Sequence, residues 1–221
     1  LFMFCNESES DPLDTIVTVG CRGRFARLDL LLERKTTDAT DDGRLPLRLA
    51  PGQSTIVVFD AALPDWPAAV PAGAPVELAS PFRVSRASYL EPDDFRPVDT
   101  AGRLQNMTGP RGDASFSGLF RYETTFDLPA GIAAAVLDLG VVGQAAQVSL
   151  NGVDLGWRIC RPYEFDTGGA LRPTGNRLTV TVANTLVHAL RDGFSHFLQI
   201  PPSGLLGPVR VLPTRGHPEC P

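Results

Sequence analysis

Seven consecutive residues, Trp157-Arg158-Ile159-Cys160-Arg161-Pro162-Tyr163, bring two aromatic rings and two guanidinium groups into one short stretch. That mixture suits a sugar, because a pyranose has an apolar face that stacks on an aromatic ring and a rim of hydroxyls that polar side chains bind. Trp157 or Tyr163 could supply the platform, and Arg158 or Arg161 the hydroxyl contacts. Glu164 or Asp166, just beyond Pro162, is the best acidic contributor to a shared cleft. The competing reading puts Trp157 in the core and leaves the arginines solvated. Asn184 is a further candidate, although its place at the end of an alternating strand suits it to satisfying loop backbone groups.

Hydrolysis of a glycosidic bond needs two carboxylates, about 5–5.5 Å apart for retention or about 6.5–9.5 Å for inversion. Glu91, Asp93, Asp94, Asp99, Asp113, Glu164 and Asp166 are available. They fall in loops with no barrel to aim them and read as solvated acids. His188, His196 and His217 lack metal-ligand spacing. Ser117 lies in Phe116-Ser117-Gly118 rather than in a G-x-S-x-G elbow. His188, Arg191, Asp192 and Phe194 read as part of an ordinary surface loop. No phosphate-cradling glycine motif occurs. No catalytic residue and no metal ligand is assigned, and no cofactor is expected.

Cys5, Cys21, Cys160 and Cys220 are far apart with no C-x-x-C pair, which disfavours zinc. Cys5 and Cys21 could lie on adjacent strands, and Cys160 could meet Cys220; free buried thiols are the alternative. Arg111-Gly112-Asp113 spells an adhesion tripeptide that reads as incidental. Asn6-Glu7-Ser8 and Asn106-Met107-Thr108 fit the glycosylation sequon, which matters only in a eukaryotic secretory host.

The elements that would position these groups are strands. In Arg121 to Leu128, Tyr122, Thr124, Phe126 and Leu128 point one way and mostly charged or polar neighbours the other, so one face meets a core and one meets water. Gln147-Val148-Ser149-Leu150, Asn151-Gly152 and Val153-Asp154-Leu155 spell a hairpin, because Asn-Gly supplies the two positive-φ positions of a type I′ turn. Arg177–Val182 alternates again. Further strands read at Thr15–Val19, Phe25–Leu32, Leu45–Leu49, Thr55–Phe59, Phe82–Ser88, Ala135–Leu139 and Val209–Leu212. Leu186–Arg191 is the one stretch suited to a helical turn. The pattern is all-β, a β-sandwich preceded by a partial β-sandwich segment, with no βαβ alternation.

Composition sets the outer limits. The chain has 221 residues, 43% hydrophobic and 20% charged, with Gly 21 and Pro 20 spread as turn punctuation. A formal charge of −5 argues against a nucleic-acid partner. No window approaches the roughly 20 apolar residues of a membrane span. Lys35 is the single lysine, a bias that fits a GC-rich coding sequence. The Ala/Pro-rich stretch 61–75 marks a boundary between a β-rich segment, 1–70, and a sandwich, 75–214, with Trp66 read as a plug at the seam. Residues 91–115 read as a long loop.

Several segments carry a family resemblance. Phe116-Ser117-Gly118-Leu119-Phe120-Arg121-Tyr122-Glu123-Thr124-Thr125-Phe126, Leu137-Asp138-Leu139-Gly140, Val148 to Gly156, Pro162-Tyr163-Glu164-Phe165-Asp166 and Gly175 to Thr185 follow one another in order. This order resembles the galactose-binding-like jelly-roll domain of glycoside hydrolase family 2 and the C-terminal domain of α-L-rhamnosidases resembling family 106. Ser203 to Val209 looks like the family's closing strand. Phe4-Cys5-Asn6-Glu7-Ser8 and Leu47 to Ser54 are similar to the opening strand and last hairpin of the β-domain that precedes this module. The resemblance implies a non-catalytic accessory region downstream of a catalytic domain of the same polypeptide. It implies carbohydrate as the possible ligand of a bacterial or plant-glycan-degrading protein. A purely structural sandwich supporting a catalytic barrel or an oligomer is the alternative. Jelly rolls of this type can carry a structural Ca²⁺, which the loop acids allow and nothing demands. The segment is expected to come from a longer protein. For that parent an extracellular or periplasmic location is expected, with the cytoplasm as the alternative.

Overall fold

The computed structural model describes residues 1–8, 10–68, 70–79, 81–190 and 200–215. Strands dominate, as the period-two patterns require. The chain divides into two compact units, one built from Leu1–Ala72 and re-entered at Thr214, the other from Gly73–Pro213.

The first unit holds β1 (Phe2–Cys5), β2 (Leu13–Thr18), β3 (Gly23–Asp29), β4 (Arg34–Thr40), β5 (Arg44–Leu49), β6 (Ser54–Phe59) and the short β7 (Val70–Pro71). One antiparallel sheet runs β1-β6-β3-β4, and β2 pairs with β5. β5 shows why: Leu45, Leu47 and Leu49 are buried, while Arg44, Pro46 and Arg48 face out. Leu45 meets Phe25 of β3 and Val57 of β6 in a small core edged by Phe2, Phe4 and Phe59. Asn6 fastens the opening turn, its amide donating to the carbonyls of Asp11 at 2.8 Å and Ala50 at 3.1 Å.

Three local expectations change here. The strand expected over Phe25–Leu32 stops at Asp29, whose carboxylate accepts the Leu32 amide at 2.9 Å and turns the chain. Glu33 then takes a φ of 57°, and β4 returns along β3 although Arg34–Thr40 has no apolar alternation. Cys5 on β1 and Cys21 before β3 are not on adjacent strands, because β6 lies between β1 and β3. Cys5, Cys21 and Cys160 are free, and Cys5 and Cys160 are exposed rather than buried; Cys220 lies outside the described residues. Trp66 is tied to β4 of its own unit, its amide donating to Thr37 Oγ1 at 2.6 Å and its ring 5.0 Å from the Lys35 ammonium.

The second unit contains β8 (Val76–Glu77), β9 (Arg83–Ser88), β10 (Arg96–Val98), β11 (Gly118–Phe126), β12 (Ala135–Asp138), β13 (Val141–Gly143), β14 (Ala145–Leu150) and β15 (Val153–Arg158). It continues with β16 (Glu164–Asp166), β17 (Asn176–Ala183), α1 (Val187–Leu190), β18 (Gly204–Gly207) and β19 (Arg210–Arg215), the last two residues of which belong to the first unit. A six-stranded antiparallel sheet runs β10-β9-β11-β17-β14-β15. Across the core lie β16-β12-β19, with β8 beside β19, and the short pair β13-β18. Tyr122, Val148, Leu150, Leu178 and Val180 are at most 1% exposed and Phe126 7%; they pack with Leu137, Phe165 and Val211 of the other layer. Each large apolar side chain so buried contributes about 1.5–3 kcal/mol. The unit is an all-β sandwich.

The Asn151-Gly152 turn has the two positive φ values that its residues foretold, 55° and 87°. The stretch 91–115, expected to be a long loop, contains β10 and is pinned by Asn106, whose Oδ1 accepts the amides of Thr108 and Ser203 at 3.1 and 3.0 Å. Among the described residues no helix is long and apolar enough to cross a membrane.

Candidate functional site

The residues of the Trp157–Tyr163 cluster do not stay together. β15 leaves the hairpin with Val153 opposite Leu150 and Asp154 opposite Ser149, but Trp157 ends opposite Gln147 because the register shifts between them. Gly156 absorbs the extra residue at a φ of 87°, and Asp154 Oδ1 accepts its amide at 2.9 Å. A one-residue slip moves a side chain to the opposite face of a sheet. Trp157 therefore stands on the outward face beside Gln147, 46% exposed, and the core reading of this indole is corrected.

Its neighbours turn elsewhere. Arg158 is half-buried, its Nε donating to the Glu164 carbonyl at 3.1 Å and its guanidinium 5.2 Å from the Phe165 ring centre. Tyr163 is 5% exposed, packed in the core with its hydroxyl donating to the Gln144 carbonyl, so its ring offers no face to a ligand. Burial pushes the Tyr163 phenol above its ordinary pKa, and Cys160 adds to the effect. Glu164 lies half-buried on β16 opposite Asp138, and Arg161 is half-buried in the preceding loop. Asn184 accepts the Gly118 amide at 2.8 Å and donates to the Phe116 carbonyl and Ser203 Oγ at 2.9 and 3.1 Å, satisfying loop groups.

Several of the loop acids are likewise occupied. Asp94 pairs with Arg96 at 2.7 Å, Asp99 and Asp166 cap turns, and Asp113 holds Arg86 and Ser115. His188 Nε2 lies 3.0 Å from Ser203 Oγ, but both residues are buried, at 4% and 1% exposure, so the pair fastens a loop. Arg191, Asp192, Phe194, His196 and His217 lie outside the described residues. Among the described residues no three His, Cys, Asp or Glu side chains gather as a metal site would need.

What the structure does assemble is a polar trough on the outward face of the six-stranded sheet. Three adjoining depressions of about 540, 630 and 370 Å³ all include Thr179 of β17. Around it stand Arg121 and Glu123 of β11, Gln147 and Ser149 of β14, Asp154 of β15 and Arg177 of β17. Those on β11, β14 and β17 are the outward members of alternations whose inward members fill the core. The pattern that revealed the core thus held these residues too, but their convergence depends on which strands become neighbours. Gln147 donates to Asp154 Oδ2 at 3.0 Å, and Trp157 stands opposite Gln147 on the neighbouring strand. Hydroxyl, amide and charged groups with one half-exposed indole can bind the rim and the face of a sugar ring.

The fold and this face define a β-sandwich with one polar, solvent-facing sheet surface. No protein-family model and no curated protein matches the chain. Among solved structures, a rhamnosidase from Novosphingobium sp. PP1Y matches 95% of the chain at 24% identity with a TM-score of 0.64. The match covers 22% of that protein, so the chain spans about a fifth of its length. A β-glucuronidase from an uncultured Clostridium sp. matches 66% of the chain and 30% of its own length at 23% identity, TM-score 0.46. One from Bifidobacterium dentium matches 65% and 31% at 20% identity, TM-score 0.44. The rhamnosidase shares the β fold over nearly all of this chain.

Proposed function

We propose that this chain is a non-catalytic accessory region of a glycoside hydrolase, with a galactose-binding-like jelly roll that contacts glycans through the trough beside Trp157. The catalytic domain of such a parent lies elsewhere in the same polypeptide. The observation that carries the reading is the indole of Trp157, turned outward by the Gly156 bulge and set opposite Gln147, which bonds Asp154. Calorimetric titration with rhamnosides, galactosides and glucans tests it. Binding in the millimolar range or tighter is expected, lost in Trp157→Ala while the unfolding temperature is kept. Turnover of an aryl glycoside by the isolated chain would contradict the non-catalytic assignment.

A second reading, a sandwich that only supports its parent, is favoured by one feature: none of the residues lining the three depressions is aromatic. Failure of every glycan to bind at millimolar concentration would select it.

A further inference from the structure

We propose that the depression between the Asn151-Gly152 turn and the loop at Arg172–Gly175 is a carboxylate subsite, recognising a uronic acid unit of a glycan. The inference rests on the glycan-binding reading above and assigns it a ligand class.

The depression measures about 540 Å³, within the range of about 300–1,000 Å³ typical of small-molecule sites. Its charged lining is Arg172 and Arg177, with no acid, and Ser149 and Thr179 add hydroxyls. Among the described residues neither guanidinium has an ion-pair partner, whereas several other arginines of the unit are engaged. Arg83 meets Glu123 at 4.0 Å, Arg96 meets Asp94 at 2.7 Å, and Arg121 lies 3.5 Å from the Phe95 ring centre. Two cations without an ion-pair partner at one depression favour an anion there.

Surface arginines are common, so charge alone would not make a site. The second observation is how their backbones are held. The Arg177 amide donates to Asn151 Oδ1 at 2.8 Å and the Arg172 amide to Asn176 Oδ1 at 2.9 Å. Asn176 Nδ2 returns a bond to the Arg172 carbonyl at 2.7 Å, and Asn151 Nδ2 donates to Asn176 Oδ1 at 2.9 Å. Asn176 is fully buried. One pair of amide side chains therefore sets the spacing of both arginine backbones before any ligand arrives, so that only the two arginine side chains are left to be ordered on binding. Asp127, which follows β11, accepts the Gly175 amide at 2.7 Å and is not among the residues lining the depression. A planar guanidinium fork matches a carboxylate through two parallel N–H···O bonds, and Ser149 and Thr179 suit the ring hydroxyls beside it.

The test titrates the chain with tetragalacturonate, with the neutral galactose tetramer and with a sulfated neutral tetramer, at low salt and at about 300 mM NaCl. Tetragalacturonate is expected to bind about tenfold tighter than the neutral tetramer. That preference should shrink with salt and vanish in an Arg172→Gln/Arg177→Gln double variant that melts at the parental temperature. Equal binding of the acidic and neutral tetramers, or a preference that survives the double variant, overturns the subsite and leaves glycan binding intact. Equal binding of the sulfated tetramer also overturns it, because the attraction is then to any anion. No binding of any tetramer or of the rhamnosides, galactosides and glucans above overturns both.

Discussion

The side chain of Asn151 donates to that of Asn176 at 2.9 Å, clasping the β14–β15 turn to the loop that enters β17. Asn151 Nδ2 also reaches the Ala170 carbonyl at 2.7 Å, so a residue chosen for its turn conformation doubles as a cross-link. Asn176→Ala removes this bond and both bonds to Arg172 from a fully buried position. A loss of about 2–4 kcal/mol is expected, since each broken bond strands a partner away from water. Urea denaturation checks it, and an unchanged midpoint would mean that the clasp is dispensable.

Tyr122 crosses the core to accept the Leu205 amide at 3.0 Å, and burial pushes its phenol well above the ordinary tyrosine pKa. Tyr122→Phe leaves that buried amide without its acceptor, at about 1–3 kcal/mol. Because the folded pKa is raised, the native phenol favours folding fully below the unfolded value near 10. That contribution falls as pH climbs from there toward the folded value. Wild type should therefore lose stability above about pH 10 more steeply than Tyr122→Phe in guanidinium titrations at stepped pH.

Asp113 behaves in the opposite sense. The Ser115 hydroxyl at 2.7 Å, then the Ser115 amide and Arg86, hold its carboxyl below the usual range against a smaller effect of burial. Its contribution is present above the ordinary carboxylate value and disappears as pH falls through the lowered one. Asp113→Asn should cost less than about 1 kcal/mol at pH 7, as partly exposed pairs do. The gap should close in acid, read from melting curves between about pH 2 and pH 7.

Gly118 opens β11 at a φ of 154°, and a methyl group there would sit 2.1 Å from the Ala87 carbonyl oxygen. The β11–β9 pairing and the bond from Gly118 to Asn184 fix that approach. Gly118→Ala should cost about 1–3 kcal/mol, as overpacking does. Gly169→Ala, where the added carbon meets nothing within 4 Å, should stay within about 0.5 kcal/mol. Equal effects of the two would refute the steric account.

Much of the fold is legible because one face of each main strand meets a core. Tyr122, Val148, Leu178 and their alternating neighbours announce both the strand and the side to be buried, and Asn151-Gly152 announces the turn between two of them. β4 escapes such reading: Arg34–Thr40 has no apolar face, and its backbone bonds to β3 hold it in place. β10 and β13 are three residues each, too short for a period to show.

The candidate site was legible only in part. Trp157 stands out by type, but Tyr163 and Arg158 of the same short stretch turn into the core and toward Glu164. Arg121, Glu123, Thr179 and Arg177 carry no motif and were read only as the wet half of their strands.

Local chemistry in the chain itself determined that it forms strands, which side chains those strands bury and where the sharp turn falls, because period and turn propensity act between near neighbours. Tertiary structure alone decided that Trp157 faces outward and that Arg172 and Arg177 share a depression. Those outcomes depend on a register slip at Gly156 and on pairing between strands far apart in sequence, and neither is encoded by any local repeat.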